Sequence, residues 1–245
     1  MKKFLILQAR PEDAAADAEF SAILAKSGLS EAQVERVRLE KEEPKLGMSE
    51  YAGTILGGGP GCVSDPPASK DPLEAKIEKR ILERMPEVTR QDLPFMGCCL
   101  GIGVLGHHLG PYVAKDRYSE PVGVAHCEVT EAGTNDAILA DVSAEFDAFV
   151  GHKEALQSLP EGCVQLVASS TCEFQMIRFG RNVYATQFHP EADSAEFELR
   201  IRMYKDRGYF PPEDADRLIE QCRAAKVDQP EKILKNFVRK FAHSP

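Results

Sequence analysis

Residues 97–101, Gly-Cys-Cys-Leu-Gly, could hold a sulfur nucleophile at the apex of a sharp turn. They follow a short apolar run, 93–96, and lead into an apolar stretch with spaced glycines that ends at Gly110. A strand, a tight turn and a helix in that order would present Cys99, the middle residue, while Cys98 faces inward. A helix that begins directly after Cys99 would favour thiolate over thiol through its dipole. We therefore predict that Cys99 is an attacking group.

Residues 187–191, Gln-Phe-His-Pro-Glu, could supply the base that a nucleophile needs. The preceding residues, 182–188, are predicted to form a strand, so His189 would emerge at a strand end. Glu191 follows two residues later, close enough to accept the second imidazole N–H and to set the tautomer. A thiol, an imidazole and an orienting carboxylate are the parts of a nucleophilic acyl-transfer site.

Taken together, segments 97–101 and 187–191 resemble the class I glutamine amidotransferase family. The pattern of that family is a G-x-C-x-G turn followed much later by F-H-P-E at a strand end. Residues 57–60, Gly-Gly-Gly-Pro, follow an apolar run and match the third landmark of the family, a glycine loop that ends in proline. The likeness spans residues 4 to 191 approximately. It extends to stand-alone proteins similar to the amidotransferase domain of GMP synthase.

The resemblance implies cleavage of the side-chain amide of L-glutamine. Cys99 would attack the amide carbon, His189 would act as general base, and Glu191 would be its partner. A γ-glutamyl thioester would form and then be hydrolysed, with release of ammonia. The resemblance requires no cofactor, and no group of His, Asp and Glu residues has metal-ligand spacing. The sequence has no ATP-binding loop, so we expect either a separate synthetase partner that uses the ammonia or simple hydrolysis.

The expected substrate contacts include one departure from the family. The backbone N–H of Leu100 and one from Gly58 or Gly59 would form the oxyanion hole. The family usually carries glutamine four residues after the nucleophile, where it helps to hold the substrate, but this sequence has Gly103 there. Hydrolysis of another γ-glutamyl compound, such as a peptide or conjugate, is therefore an alternative to hydrolysis of glutamine.

Two further alternatives keep part of this interpretation. A cysteine hydrolase of the α/β-hydrolase class shares the sharp turn, but that class places its acid before its histidine, whereas Glu191 follows His189. A non-catalytic regulatory subunit could retain the fold, although the complete set of thiol, imidazole and carboxylate counts against it.

Composition favours a cytoplasmic protein with free thiols. The 245 residues carry a formal net charge of −9, which argues against a surface for nucleic acid or anionic membrane. No apolar run approaches the roughly 20 residues that cross a bilayer. The apolar start, residues 1–7, is better explained by a buried strand than by a signal peptide. The seven cysteines form no C-x-x-C pair.

The order of predicted elements indicates an α/β fold. Strands and helices alternate up to the helix after Cys99, which predicts a mostly parallel central sheet with helices on both faces. A β-rich segment follows from residue 113, and helices close the chain over residues 194–245. We expect one domain, residues 1–245. Because sites in such sheets form beyond the carboxyl ends of the strands, one crevice can hold both the glycine loop and Cys99.

Overall fold

A computed structural model describes residues 2–242, in which helices cover both faces of a nine-stranded sheet. Met1 and residues 243–245, the two ends of the predicted domain, lie outside the described residues. The strands are β1 (Phe4–Gln8), β2 (Val34–Arg38), β3 (Gly53–Leu56), β4 (Phe95–Cys98), β5 (Val113–Ala114), β6 (Glu120–Val129), β7 (Glu145–His152), β8 (Ala155–Leu156), β9 (Cys163–Ser169), β10 (Met176–Phe179) and β11 (Val183–Thr186). The α-helices are α1 (Asp13–Ser27), α2 (Pro72–Leu82), α3 (Met85–Gln91), α4 (Leu100–Leu109), α5 (Glu131–Thr134), α6 (Ser194–Tyr204), α7 (Ala215–Ala224) and α8 (Pro230–Phe241).

The main sheet has a parallel half and an antiparallel half. Its strand order is β2-β1-β3-β4-β11-β10-β9-β6-β7, and the first five strands are parallel to one another. Strands β10, β9, β6 and β7 continue the sheet with antiparallel pairings, which confirms the β-rich extension. Since β3, β4 and β11 are parallel neighbours, the loops that follow them leave from the same edge. These loops contain the three segments that the sequence singled out.

Strand β1 shows why the parallel half lies between two layers of helices. All five of its residues are buried, and alternate side chains enter different hydrophobic clusters. Ile6 belongs to the cluster that includes Ile23 of α1 and Phe237 of α8. Leu7 belongs to the cluster on the opposite face, with Ile102 of α4. A strand that is covered on both faces needs a continuous apolar run rather than an alternating one.

Helices α6 and α7 cover a third hydrophobic cluster beside β7. Phe197 of α6 stacks on Phe149 of β7, with ring centroids 4.7 Å apart. Leu218 of α7 joins the same cluster. This packing fixes the orientation of α6, whose buried residues recur three or four positions apart along the helix. None of the helices in residues 2–242 has both the length and the apolar character to cross a membrane.

The turn from β4 into α4 leaves no room for a side chain at residue 97. A Cβ atom on Gly97 would lie 2.8 Å from the Cα of Gly101. Cys99, between the two glycines, has φ of 52° and ψ of −90°, a conformation that costs other residues about 1–3 kcal/mol. Its backbone N–H donates to the carbonyl of Thr186 at 2.8 Å, which ties the turn to the end of β11.

The glycine contact predicts that Gly97→Ala destabilises the fold. The added methyl group meets backbone atoms that cannot move aside, so we expect a loss of about 1–3 kcal/mol or more. This corresponds to a fall in Tm of roughly 2–10 °C for a chain of this size. Gly123→Ala is the matched control, because its Cβ would have only the carbonyl of Pro121 nearby, at 3.9 Å. Thermal unfolding followed by circular dichroism measures both variants, and an unchanged Tm for Gly97→Ala would contradict the analysis.

Candidate active site

Cys99 lines two cavities, which we call the first and the second cavity. The first spans about 390 Å³ and the second about 320 Å³, and both volumes include space that is open to solvent. His189 lines the first cavity together with Cys99, so the structure brings the two sequence motifs to one site. The other side chains that line the first cavity are those of Arg10, Val122, Phe197, Arg200, Tyr204 and Tyr209.

The two neighbouring cysteines occupy different environments. Cys98, the last residue of β4, is 0% exposed and belongs to the hydrophobic cluster under α1 and α8. Cys99 is 9% exposed and faces the cavities. The structure therefore places the thiol of Cys99, rather than that of Cys98, where a ligand could reach it.

His189 is held by contacts on its backbone and on its ring. Its N–H donates to the carbonyl of Phe149 at 2.9 Å, just beyond the end of β11. The ring nitrogen Nδ1 lies 2.8 Å from Oε1 of Glu191, which is 0% exposed. Phe197 contacts the ring edge-on, with centroids 5.6 Å apart. Because Nδ1 is engaged, Nε2 is the nitrogen that remains for a thiol.

Burial keeps both the thiol and the imidazole neutral near pH 7. Burial raises the pKa of Cys99 to about 12, since the nearby charge of Arg10 only partly offsets it. Burial also lowers the pKa of His189 to about 4, and the charge of Arg200 acts in the same direction. Burial therefore opposes the thiolate that a helix beginning directly after Cys99 would favour. A neutral thiol needs a base at the moment of attack.

A buried cluster of charged side chains surrounds His189. Arg10 pairs with Glu19 at 2.9 Å, and Arg200 pairs with Glu191 at 2.8 Å and, more closely, with Glu196. Arg200 also approaches the imidazole, with Nη1 2.8 Å from Nδ1. Sequence reasoning missed Arg200, because Glu196 and Arg200 at positions i and i+4 look like an exposed helix pair. Only the burial of α6 in the structure shows that Glu196 and Arg200 are not an exposed pair.

The glycine loop contains the two residues that we expected as alternative oxyanion donors, Gly58 and Gly59, and the structure distinguishes them. The N–H of Gly58 already donates to Oε1 of Glu19 at 3.0 Å, which corrects its expected role as a donor to substrate. Gly59 lines both cavities beside Cys99. Leu100 lines the second cavity, and as the first residue of α4 its N–H has no acceptor within the helix.

The second cavity is shaped by Gly103, which stands where the family usually has glutamine. A Cβ atom on Gly103 would lie 3.1 Å from Oε1 of Glu154, so this carboxylate occupies space beside the glycine. Glu154 accepts hydrogen bonds from the backbone N–H groups of Val63 (2.7 Å) and Ser64 (2.9 Å). Gln187 also lines this cavity, and its Oε1 has no hydrogen-bond partner among the described residues.

Tyr209 closes the site from the C-terminal part of the chain. It lines both cavities, and its hydroxyl donates to the carbonyl of Pro60 in the glycine loop at 3.3 Å. Lys153 lies over its ring, 4.3 Å from the centroid. The segment after α6 thus contributes directly to the walls of the site.

A group of potential metal ligands lies near the site. The ligand atoms of Glu120, His152 and Cys172 lie within 4.8 Å of one another, a proximity that sequence spacing did not predict. Nδ1 of His152 faces the carbonyl of Glu154 at 2.9 Å, and Nε2 faces the carboxylate of Glu120 at 2.8 Å. Both ring nitrogens of His152 thus lie within hydrogen-bond distance of protein oxygens.

Comparison with known proteins identifies the family. The sequence model described as glutamine amidotransferase class-I matches residues 15–203. This chain therefore belongs to the class I glutamine amidotransferase family, as its motifs predicted.

Individual relatives agree with this assignment. The GMP synthase [glutamine-hydrolyzing] of Thermosipho melanesiensis is 30% identical over 162 residues, which are 66% of this chain and 28% of the relative. One GMP synthase subunit from Haloquadratum walsbyi is 29% identical over 112 residues, which are 45% of this chain and 59% of the relative. The chain thus spans only about a quarter of the synthase from Thermosipho.

A solved structure confirms the fold. The crystal structure of a glutamine amidotransferase from Thermotoga maritima superimposes with a TM-score of 0.76 at 20% sequence identity. The match covers 100% of both chains, so it includes the C-terminal helices as well as the sheet.

The shifted pKa values predict that Cys99 carries no thiolate at neutral pH. The difference in thiolate absorbance between wild type and Cys99→Ser should stay near zero between about pH 5 and 9, below the pKa of about 12. An ultraviolet pH titration of the two proteins measures it. A sigmoidal difference with a midpoint below pH 8 or so would contradict the neutral pair.

Proposed function

We propose that this protein hydrolyses the side-chain amide of L-glutamine with Cys99 as nucleophile, His189 as general base and Glu191 as its orienting partner. The main support is that Cys99 and His189 line one cavity while Glu191 contacts Nδ1 of the imidazole. This is the arrangement of thiol, base and acid that acyl transfer from an amide requires. Membership of the class I glutamine amidotransferase family supports glutamine as the donor.

The reaction begins with a neutral thiol and a neutral imidazole. Nε2 of His189 takes the proton from Sγ of Cys99 as sulfur attacks the amide carbon. The same proton then passes to the departing nitrogen, so that the carbon–nitrogen bond breaks and ammonia leaves. Water attacks the resulting γ-glutamyl thioester, loses a proton to Nε2 and releases glutamate, and the sulfur regains its proton from the imidazole. Glu191 stabilises the imidazolium that forms in each half of the reaction.

The oxyanion and the rest of the substrate would contact different parts of the site. We infer that the N–H groups of Gly59 and Leu100 stabilise the tetrahedral oxyanion, since both residues line the second cavity beside Cys99. The amino acid head of the substrate would lie in the same cavity. There its carboxylate can approach Lys153, which lines this cavity.

The ammonia would serve a synthetase on a separate chain. This proposal rests on the likeness to the Haloquadratum relative, whose name describes one subunit of a GMP synthase. Without such a partner, the same chemistry is that of a glutaminase.

A second candidate function is hydrolysis of a γ-glutamyl peptide or conjugate. Gly103 favours it, because the side chain that usually helps to hold glutamine is missing and Glu154 occupies the adjacent space. The nucleophile, base and acid would keep their roles, and an amine larger than ammonia would leave.

The proposed nucleophile predicts that Cys99→Ala loses activity. We expect kcat for release of ammonia and glutamate from glutamine to fall by at least about 10³-fold, because no other group can form the thioester. Cys98→Ala is the matched control, since Cys98 is packed in the core and should leave kcat within about threefold. A coupled assay of both products, with glutamine beside a panel of γ-glutamyl compounds, measures the variants.

The pattern of activity decides between the candidates. The first proposal is supported if wild type and Cys98→Ala hydrolyse glutamine and Cys99→Ala does not. Hydrolysis of panel compounds but not of glutamine would replace it with the second candidate. Equal activity in Cys99→Ala would remove Cys99 from the mechanism.

A further inference from the structure

Two groups compete for the same nitrogen of His189. Oε1 of Glu191 and Nη1 of Arg200 each lie 2.8 Å from Nδ1. A guanidinium Nη always carries hydrogen and can only donate, whereas a carboxylate oxygen can only accept. Nδ1 can therefore satisfy Arg200 with a lone pair or Glu191 with a proton, but not both at once. The two contacts correspond to the two tautomers of a neutral imidazole.

The two tautomers differ in their capacity to act as a base. When Nδ1 donates to Glu191, Nε2 has a lone pair and can accept the thiol proton. When Nδ1 accepts from Arg200, the ring proton resides on Nε2, which then has no lone pair for Cys99. The proposed reaction needs the first tautomer.

We propose that Arg200 is a positioning residue that holds the ring proton of His189 on Nε2, so that the imidazole cannot act as a base until the guanidinium turns away. The inference rests on the proposed function, because it concerns the base of that reaction. Glu191 keeps a hydrogen-bond donor in this state, since its Oε1 still accepts from Nη2 of Arg200 at 2.8 Å. Charge-assisted hydrogen bonds of this kind are among the stronger ones in proteins.

Unpartnered atoms nearby offer the guanidinium an alternative set of hydrogen bonds. Within residues 2–242, Nε of Arg200, Oε2 of Glu191 and Oε2 of Glu196 have no hydrogen-bond partner although all three are buried. Buried polar atoms without partners are uncommon and costly. A rotation of Arg200 toward the second oxygens of Glu191 and Glu196 would pair them and free Nδ1. Nδ1 then gains a proton from solvent and Nε2 loses one, with no net change in charge.

The surroundings keep Arg200 close to the imidazole. Arg200 is 7% exposed and lies over the ring of Phe197, 5.5 Å from its centroid, while Phe197 contacts His189 edge-on. Arg200 also pairs closely with Glu196, which lies four residues earlier on the same helix.

The tautomer of His189 can be measured without any substrate. Long-range proton–nitrogen correlation spectra of protein with ¹⁵N-labelled histidine distinguish a protonated ring nitrogen from an unprotonated one, and loss of signals in His189→Gln assigns them. We expect wild type to carry the proton on Nε2. A proton mainly on Nδ1 in wild type overturns the inference, whether or not the protein hydrolyses glutamine.

A paired variant tests the role of Arg200 directly. Arg200→Met combined with Glu196→Gln removes one positive and one negative charge, so the buried cluster keeps its net charge. A hydrogen bond of this type changes a population ratio by about ten- to a hundredfold, so the proton should move to Nδ1. Alkylation of Cys99 by iodoacetamide, quantified by peptide mass spectrometry, should accelerate about tenfold or more as the base becomes available.

The control is a second arginine of α6. Arg202→Met removes an exposed guanidinium that pairs with Glu198 and should change neither the tautomer nor the rate of alkylation. An unchanged tautomer or slower alkylation in the paired variant overturns the inference. So does an equal shift in Arg202→Met, because the effect would not then arise from contact with Nδ1.

Discussion

The close crossing of β4 and α4 is the constraint on which the site depends. The backbones at Gly97 and Gly101 approach so closely that a single Cβ would not fit. The crossing forces Cys99 into a positive φ and places it at the start of a helix, while its N–H donates to Thr186 at the end of β11. That hydrogen bond joins the two motifs, because the chain continues from Thr186 to His189 within three residues. The backbone strain at Cys99, about 1–3 kcal/mol, is small compared with the free energy gained by burying the surrounding strands.

The second requirement is a buried balance of charge. Two guanidinium groups, of Arg10 and Arg200, and three carboxylates, of Glu19, Glu191 and Glu196, lie around one imidazole. Removing one partner from such a cluster leaves an uncompensated charge, which is costly in a protein interior. The cluster therefore fixes α1, α6 and the segment after β11 relative to one another. Burial, together with the charge of Arg200, lowers the pKa of the imidazole, so the proposed reaction uses proton transfer at the moment of attack rather than a preformed thiolate.

The sequence predicted the features that local backbone chemistry determines. Gly97 and Gly101 on either side of two cysteines indicate a sharp turn, and buried apolar runs alternating with amphipathic ones indicate a parallel sheet. The features it missed depend on contacts between distant segments. The donation of Gly58 N–H to Glu19 joins β3 to α1, and the carboxylate of Glu154 reaches the space beside Gly103 from the end of β7. Arg200 is a similar case, because a Glu–Arg pair on a helix reveals nothing about burial until α6 is packed on Phe149.

The proposed function requires that one sulfur, that of Cys99, attacks the amide carbon of glutamine. A glutamine analogue with an electrophilic carbon in place of the amide tests this most directly, because it converts the attack into a stable adduct. We expect one adduct per chain, mapped by peptide mass spectrometry to Cys99, and protection by excess glutamine. A label on Cys98 or Cys62, or a label on Cys99 that glutamine does not prevent, would contradict it.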